Sequence, residues 1–307
     1  MAMTEQGTNL AQRIESGKSI LAAEIMPPKR GDAEAVRACA KRYAGKVHAL
    51  GVSDNRNEVR MSALATASLV ASEGVEPILH IVTRDRNRIA LVSECLGAQA
   101  LGIRNLLCTT GTHQTLGRFR SARNVFDVDS IQLLQIYDGL AKDGSVVGTE
   151  GIAGAGPFCL GAVASPYADP LELQAVRLAK KAAAGAKFLI TQPVFDLERF
   201  DGWWQEVTRR GIHDQVAILA GVQPLAGADE AKTRSGERPD PMIPDAVLER
   251  LSSKSGGKEQ RVEGIAIAVE TIERLSGVDG LRGFEIRGDG DDDAAMEVIE
   301  KSGLGLS

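Results

Sequence analysis

The sequence has no apolar run long enough to span a membrane, no basic-then-apolar leader and no lipidation box. The expectation is a cytoplasmic protein with no membrane partner. Cysteine is scarce. Cys39, Cys95, Cys108 and Cys159 are scattered through largely apolar stretches, without the paired spacing of a disulfide framework or a zinc site. Buried free thiols are expected, and the metal set is expected to be none. Excess positive charge is also missing. A formal net charge of −5 and a pI near 5.6 argue against a general nucleic-acid binder. No GxGxxG follows the first apolar strand, and neither a GxSxG nor a Walker pattern occurs. Dinucleotide binding of the doubly wound type and two common hydrolytic chemistries lose their sequence support.

What is present is a repeated unit. The 307 residues are 43% apolar, enough for a sizeable core. The stretch Lys187–Phe195, KFLITQPVF, shows the unit clearly: apolar Phe188, Leu189 and Ile190 run into Thr191, Gln192 and Pro193, with helical patterns on both sides. A buried parallel strand reads this way. The same design recurs at Ile20–Ile25, Val47–Val52, Ile78–Thr83, Leu106–Thr110, Phe158–Val163, Val216–Gly221 and Gly283–Arg287. Eight strands alternating with helices imply a parallel sheet. In a chain of this length they favour an α/β fold of one class, a single (β/α)8 TIM barrel over residues 18–307, with residues 1–17 as an arm or a short outer helix. A barrel of this kind gathers its polar strand ends at one mouth.

The connections carry further signals. Residues 111–128 are long for a strand-to-helix loop, which is usually functional. Asp129 followed by Gln132 suggests a capping box, and Asp169-Pro170-Leu171-Glu172 reads as a capped helix start with proline in the first turn. Residues 142–156 read as a loop or hairpin excursion and residues 225–242 as a polar surface loop, before helices near 245–252 and 260–275. Trp203 and Trp204 read as packing residues. Asp291-Asp292-Asp293 reads as a helix N-terminus rather than a metal site.

Among the residues at strand ends, Glu24 is the sharpest candidate. Burial in an apolar strand favours its protonated form, which suits a general acid. The alternative is a structural carboxylate paired with Arg84 or Arg287. His80 has apolar neighbours and by itself reads as a core histidine. Thr83-Arg84-Asp85-Arg86 suits either an anionic ligand group or an ion-pair network. Gln192 offers a planar donor–acceptor edge that matches a heterocycle amide, or serves loop hydrogen bonding. Lys181, near a helix end, reads as solvated.

Five segments in order carry a resemblance: AEIMPPKRGD around Glu24, VSDNRNEVRMS from Val52, HIVTRDRNRIAL from His80, GIRNLLCTTGTHQ from Gly102 and AAGAKFLITQPVFD from Ala183. Together they resemble the methylenetetrahydrofolate reductase family, in its short bacterial type. The resemblance implies a barrel that holds FAD, takes hydride from NADH or NADPH, and passes it to 5,10-methylenetetrahydrofolate to give 5-methyltetrahydrofolate, or runs the reverse reaction. It places the acid on Glu24 and the pterin-reading amide on Gln192, with Gln223 as a second folate contact. Cofactor positions fall on Ser53, His80, Thr112, His113, Ala162 and Lys181. One departure stands out: much of the family has an aspartate where this chain has Thr112. Either the flavin is tuned to a different potential, with His113 supplying part of the electrostatics, or the cofactor is handled differently. Direct hydride transfer from NADH to the folate without flavin is the first alternative. A folate- or flavin-binding subunit of a larger redox or methyl-transfer complex is the second. A homo-oligomer and a redox-complex subunit both remain open.

Overall fold

Strand and helix alternate along the chain until the last strand pairs with the first. The computed structural model describes residues 9–56, 58–144, 155–237 and 243–306. Its strands are β1 (Ile20–Ile25), β2 (Ala49–Val52), β3 (Pro77–Val82), β4 (Asn105–Thr109), β5 (Cys159–Ala164), β6 (Phe188–Pro193), β7 (Ala217–Val222) and β8 (Gly283–Arg287). All eight are parallel and pair in chain order, β8 closing on β1. The result is the expected (β/α)8 barrel, with strand limits moved by a few residues at most.

Helix α1 (Asn9–Glu15) precedes the barrel. The helices that follow are α2 (Ala33–Tyr43), α3 (Ala63–Ser72), α4 (Arg88–Ala100), α5 (Ser130–Asp143), α6 (Leu171–Ala183), α7 (Leu197–Arg209), α8 (Ala228–Glu237), α9 (Asp245–Ser252), α10 (Gly257–Ser276) and α11 (Asp292–Lys301). Strand alternation divides the core in two. One set of side chains points into the barrel, among them Ile20, Ala22, Ala49, Ile78, Leu107, Phe188, Ile190 and Leu219, and Leu10 of α1 joins them. The larger set packs between the barrel and its helices and includes Tyr43, Tyr137, Phe200, Trp203 and Trp204. Both tryptophans are therefore packing residues.

Space in the inner set is limited by Phe188. A Cβ placed on Gly161 of β5 meets the Phe188 ring at 2.3 Å. Gly161→Ala is expected to force the ring off its rotamer and lower stability by about 1–3 kcal/mol, the usual cost of overpacking. Urea denaturation checks this, and an unchanged midpoint removes the steric argument.

Several local expectations hold. Asp129 and Gln132 form the capping box of α5, and Asp291 caps α11 by accepting from Ala294 N. The four cysteines are free thiols, with Cys39 half-buried and the others buried. Burial pushes Cys95 and Cys159 up to about 12, so neither is a ready nucleophile. Among the described residues no helix is long and apolar enough to cross a membrane.

Two expectations need correction. The first concerns residues 225–242, read as a surface loop, where the structure has α8. Ala228 and Ala231 pack with Leu225, Ile243, Leu251 and Ile267 in a small satellite core, and Arg234 pairs with Glu230 one turn earlier. Two alanines and an ion pair make a weak helical pattern. Residues 238–242 lie outside the described residues, as do 1–8 of the expected arm and 145–154 of the expected excursion. The second concerns α6, which starts at Leu171 without a side-chain cap. The Asp169 carboxylate is held instead by Arg199.

Candidate active site at the barrel mouth

The C-terminal strand ends surround a cavity of about 160 Å3. Glu24 (β1), Ser53 (after β2), His80 (β3), Thr112 (after β4) and Gln192 (β6) all line it. The sequence places these residues far apart, and the barrel brings them together. Thr112 reaches the rim because Gly111 adopts φ +82°; a Cβ there meets Val82 Cγ1 at 2.6 Å, so only glycine fits this turn.

Glu24 is 5% exposed. Its Oε2 lies 3.5 Å from Arg287 Nε, and its Oε1 accepts from Arg56 Nη1 at 3.2 Å. Burial is the largest influence on its acidity and favours the protonated form. The charges of Arg287, Arg56 and His80 outweigh that effect, so the carboxyl titrates below its ordinary value. The expectation that burial keeps Glu24 protonated is corrected on this point. Its cause is the basic groups that β8 and the β2–α3 connection bring to it.

The same groups extend outward as a network. Arg56 also reaches Asp289 at 3.3 Å, and Arg234 of α8 reaches the other side of Asp289 at 2.6 Å. Burial acts most strongly on Asp289 and raises it, but Arg56 and Arg234 bring it down to about 2. Gln223 sits behind this network rather than on the cavity wall. An arginine can only donate, so the Gln223 amide presents its oxygen to Arg234 at 2.8 and 3.1 Å.

The Thr83–Arg86 cluster is an ion-pair network. Arg84 is buried and donates to both Asp85 oxygens at 2.8 Å, to the Asn55 carbonyl at 2.7 Å and to the Thr112 carbonyl at 3.2 Å. Arg86 holds Asp54, whose Oδ2 also accepts from Val82 N at 3.1 Å. Arg84 thereby ties the rim loops after β2 and β4 together.

The Gln192 amide oxygen accepts from Ser165 Oγ at 2.7 Å, which orients its planar edge. His113 is exposed; its ring bonds Thr115 and Asn124 and caps a short 3-10 turn at Gln114–Leu116. Ala162 packs outward into the shell between barrel and helices, because its neighbour Val163 takes the inward position. Lys181 is not the solvated lysine that its helix position suggests. It is buried and donates to the Val163 carbonyl. Burial first, and Arg177 second, lower it to about 8.

The sequence reading missed Glu285, Arg56, Asp289 and Arg234. Glu285 is completely buried and accepts from Arg287 Nε at 2.6 Å. The signal was present in GFEIRGDG: two charged residues spaced i, i+2 on a strand share one face.

A family profile described as methylenetetrahydrofolate reductase matches residues 9–303. The chain belongs to the methylenetetrahydrofolate reductase family. A probable methylenetetrahydrofolate reductase (NADPH) from Caenorhabditis elegans is 25% identical over 197 residues, 64% of this chain and 28% of that protein. Methylenetetrahydrofolate reductase 1 of Schizosaccharomyces pombe is 27% identical over 157 residues, 48% of this chain and 24% of that one. The aligned part spans about a quarter of the length of these relatives. An uncharacterized protein from Clostridium thermocellum, whose structure binds two copies of 5-methyl-5,6,7,8-tetrahydrofolic acid, superposes with a TM-score of 0.67. It is 15% identical, and the match covers 96% of this chain and 98% of that one. At that identity the likeness speaks for the fold.

Proposed function

We propose that this chain is a methylenetetrahydrofolate reductase that moves hydride from NADH or NADPH to the one-carbon unit of the folate. The observation that carries the reading is the shared cavity of Glu24 and Gln192 in a chain of this family. Gln192 reads the pterin amide edge and fixes the ring. Glu24 gives a proton to N10, the bond from N10 to the methylene carbon breaks, and the resulting N5 iminium takes up hydride at that carbon. Removing the bound folate's share of water strengthens both contacts.

The cavity's donor set suits a flavin in part. Ser53, His80 and Thr112 line the wall where a ring edge would rest. The three arginines on that wall, Arg56, Arg84 and Arg287, are each already paired with a carboxylate. A diphosphate would therefore depend on exposed cations such as Arg118, Arg120 and Arg123 in the connection after β4. FAD, where bound, would relay the hydride. Thr112 and the paired arginines favour a second reading, direct transfer from the dinucleotide to the folate.

The visible absorption spectrum tests both. A flavin band bleached by NADH and restored by methylenetetrahydrofolate supports the relay. A colourless protein that oxidises NADH only when the folate is present supports direct transfer. Protein with no affinity for any folate sinks the reductase reading. Gln192→Ala is expected to weaken folate binding about tenfold, the scale of one lost polar contact, and to leave any flavin in place. Loss of flavin with normal folate affinity would reverse the placement of the two ligands.

A further inference from the structure

Glu24 rests as a carboxylate, yet the reaction needs a proton from it. The barrel interior offers a source. Register places Glu24 of β1 beside Arg287 of β8, with Glu285 one inward step below. Glu285 is wholly buried; Arg287 bonds its Oε2, while its Oε1 is buried without a partner. His80, 7% exposed, likewise has a buried Nε2 without a partner. A ring nitrogen of His80 and carboxylate oxygens of Glu24 and Glu285 lie within 4.8 Å of one another. Gly51 of β2 keeps the space between them open: a Cβ there would stand 3.0 Å from His80 Nε2 and 3.4 Å from Glu285 Oε1.

The charges around this space do not balance. Glu24 and Glu285 share one buried cation, Arg287. Arg56 divides its charge between Glu24 and Asp289, and Arg234 divides its charge between Asp289 and Glu230, so four carboxylates face three guanidinium groups. The other charged groups on the cavity wall are committed elsewhere, Arg84 to Asp85 and Asp54 to Arg86. Ser53 and Leu107 complete the wall near His80 and are uncharged. One more positive charge is needed where the two unpartnered atoms face the gap. A divalent cation would use the same ligands but would sit against the guanidinium that already holds both carboxylates, where like charges repel strongly at low dielectric. A proton on the imidazole meets the need without a second centre of charge.

We propose that His80 holds a proton on Nε2 between Glu285 and Glu24, and that this proton reloads Glu24 for its transfer to N10. The reloading step rests on the reductase reading; the held proton does not. Glu24 accepts the proton from the imidazolium, passes it to N10 as the bond from N10 to the methylene carbon breaks, and returns to carboxylate. The neutral imidazole regains a proton from water when product leaves, and the hydride comes from the dinucleotide. Glu285 is a positioning residue that holds the donor on the Nε2 side.

The test is long-range 15N NMR of the full, ligand-free chain, which has four histidines; His80→Asn assigns the His80 signal. The expected result is a resting ring that carries a proton on both nitrogens, Nε2 included. In Glu285→Gln the titration midpoint should fall by about one pH unit, since a lost negative charge loosens the proton. A bare Nε2 in the resting ring, or an unmoved midpoint, overturns the proposal. So does a metal-bound ring nitrogen after Zn2+ or Mn2+ alone is added. If Glu285→Gln does not fold, Glu285→Asp serves, with its shorter reach expected to lower the midpoint less. In turnover, Glu285→Gln should move the alkaline limb of kcat to lower pH; a uniform loss at every pH would overturn the reloading step. No turnover by the wild type, with the proton seen by NMR, would sink the reductase reading and the reloading step while the held proton stands.

Discussion

Glu24→Gln is expected to keep the fold and the folate affinity while turnover falls by about 100-fold or more, the usual scale for losing a general acid. The substitution keeps the shape of the side chain. Arg287 retains Glu285 as a partner and Arg56 retains Asp289, so neither buried cation is stranded. Binding should survive because Gln192 and the rest of the cavity wall are untouched. Measuring kcat beside the folate Kd separates the two effects. Near-normal turnover would take Glu24 out of the acid role and leave it as a structural partner of Arg287.

Arg287→Met should do the opposite, damaging stability first. Arg287 is the cation shared by Glu24 and Glu285, and its Nη2 also donates to the Thr191 carbonyl at 3.1 Å. Removing one side of a buried ion cluster costs about 3–5 kcal/mol, because the partner charges remain. The loss should depend on pH. Glu24 is held below its ordinary value, so its contribution is present above the ordinary carboxylate range and disappears as pH falls through the lowered value. In the variant the two carboxylates gain protons more readily, which relieves their repulsion as pH drops. The gap between wild type and variant should therefore be widest near pH 8 and narrow towards pH 5. Asp289 adds a later loss to the wild type, between its ordinary 3.8 and about 2. Denaturant titrations at two pH values check this. An equal gap at both would assign the loss to packing rather than charge.

The barrel was legible because parallel strands covered on both faces are continuous apolar runs ending in polar residues. That pattern located all eight strands and, with them, the convergence of Glu24, Ser53, His80, Thr112 and Gln192. Facing was harder. Ala162 and Val163 are equally apolar, and only the pairing register decides that Val163 faces the cavity and Ala162 the helices. Burial of a charged helix residue such as Lys181 also leaves no mark in a helical pattern. The least legible property was the proton preference of Glu24. It depends on Arg287, 263 positions along the chain, and on Arg56 in a loop, so no local window contains it. Helix α8 was hidden for a related reason: its stability comes from a satellite core assembled with Phe195, Leu225, Ile243 and residues of α9 and α10, not from a strong stripe of its own.

The position of Leu10 bears on traffic. Helix α1 sets this side chain against the inward-facing residues of the lower barrel, so the interior is stoppered at that end. Among the described residues, the way to Glu24 is then the mouth at the C-terminal strand ends. On the reductase reading, nucleotide, folate and methylated product would queue for the same opening, and excess of any one would delay the others.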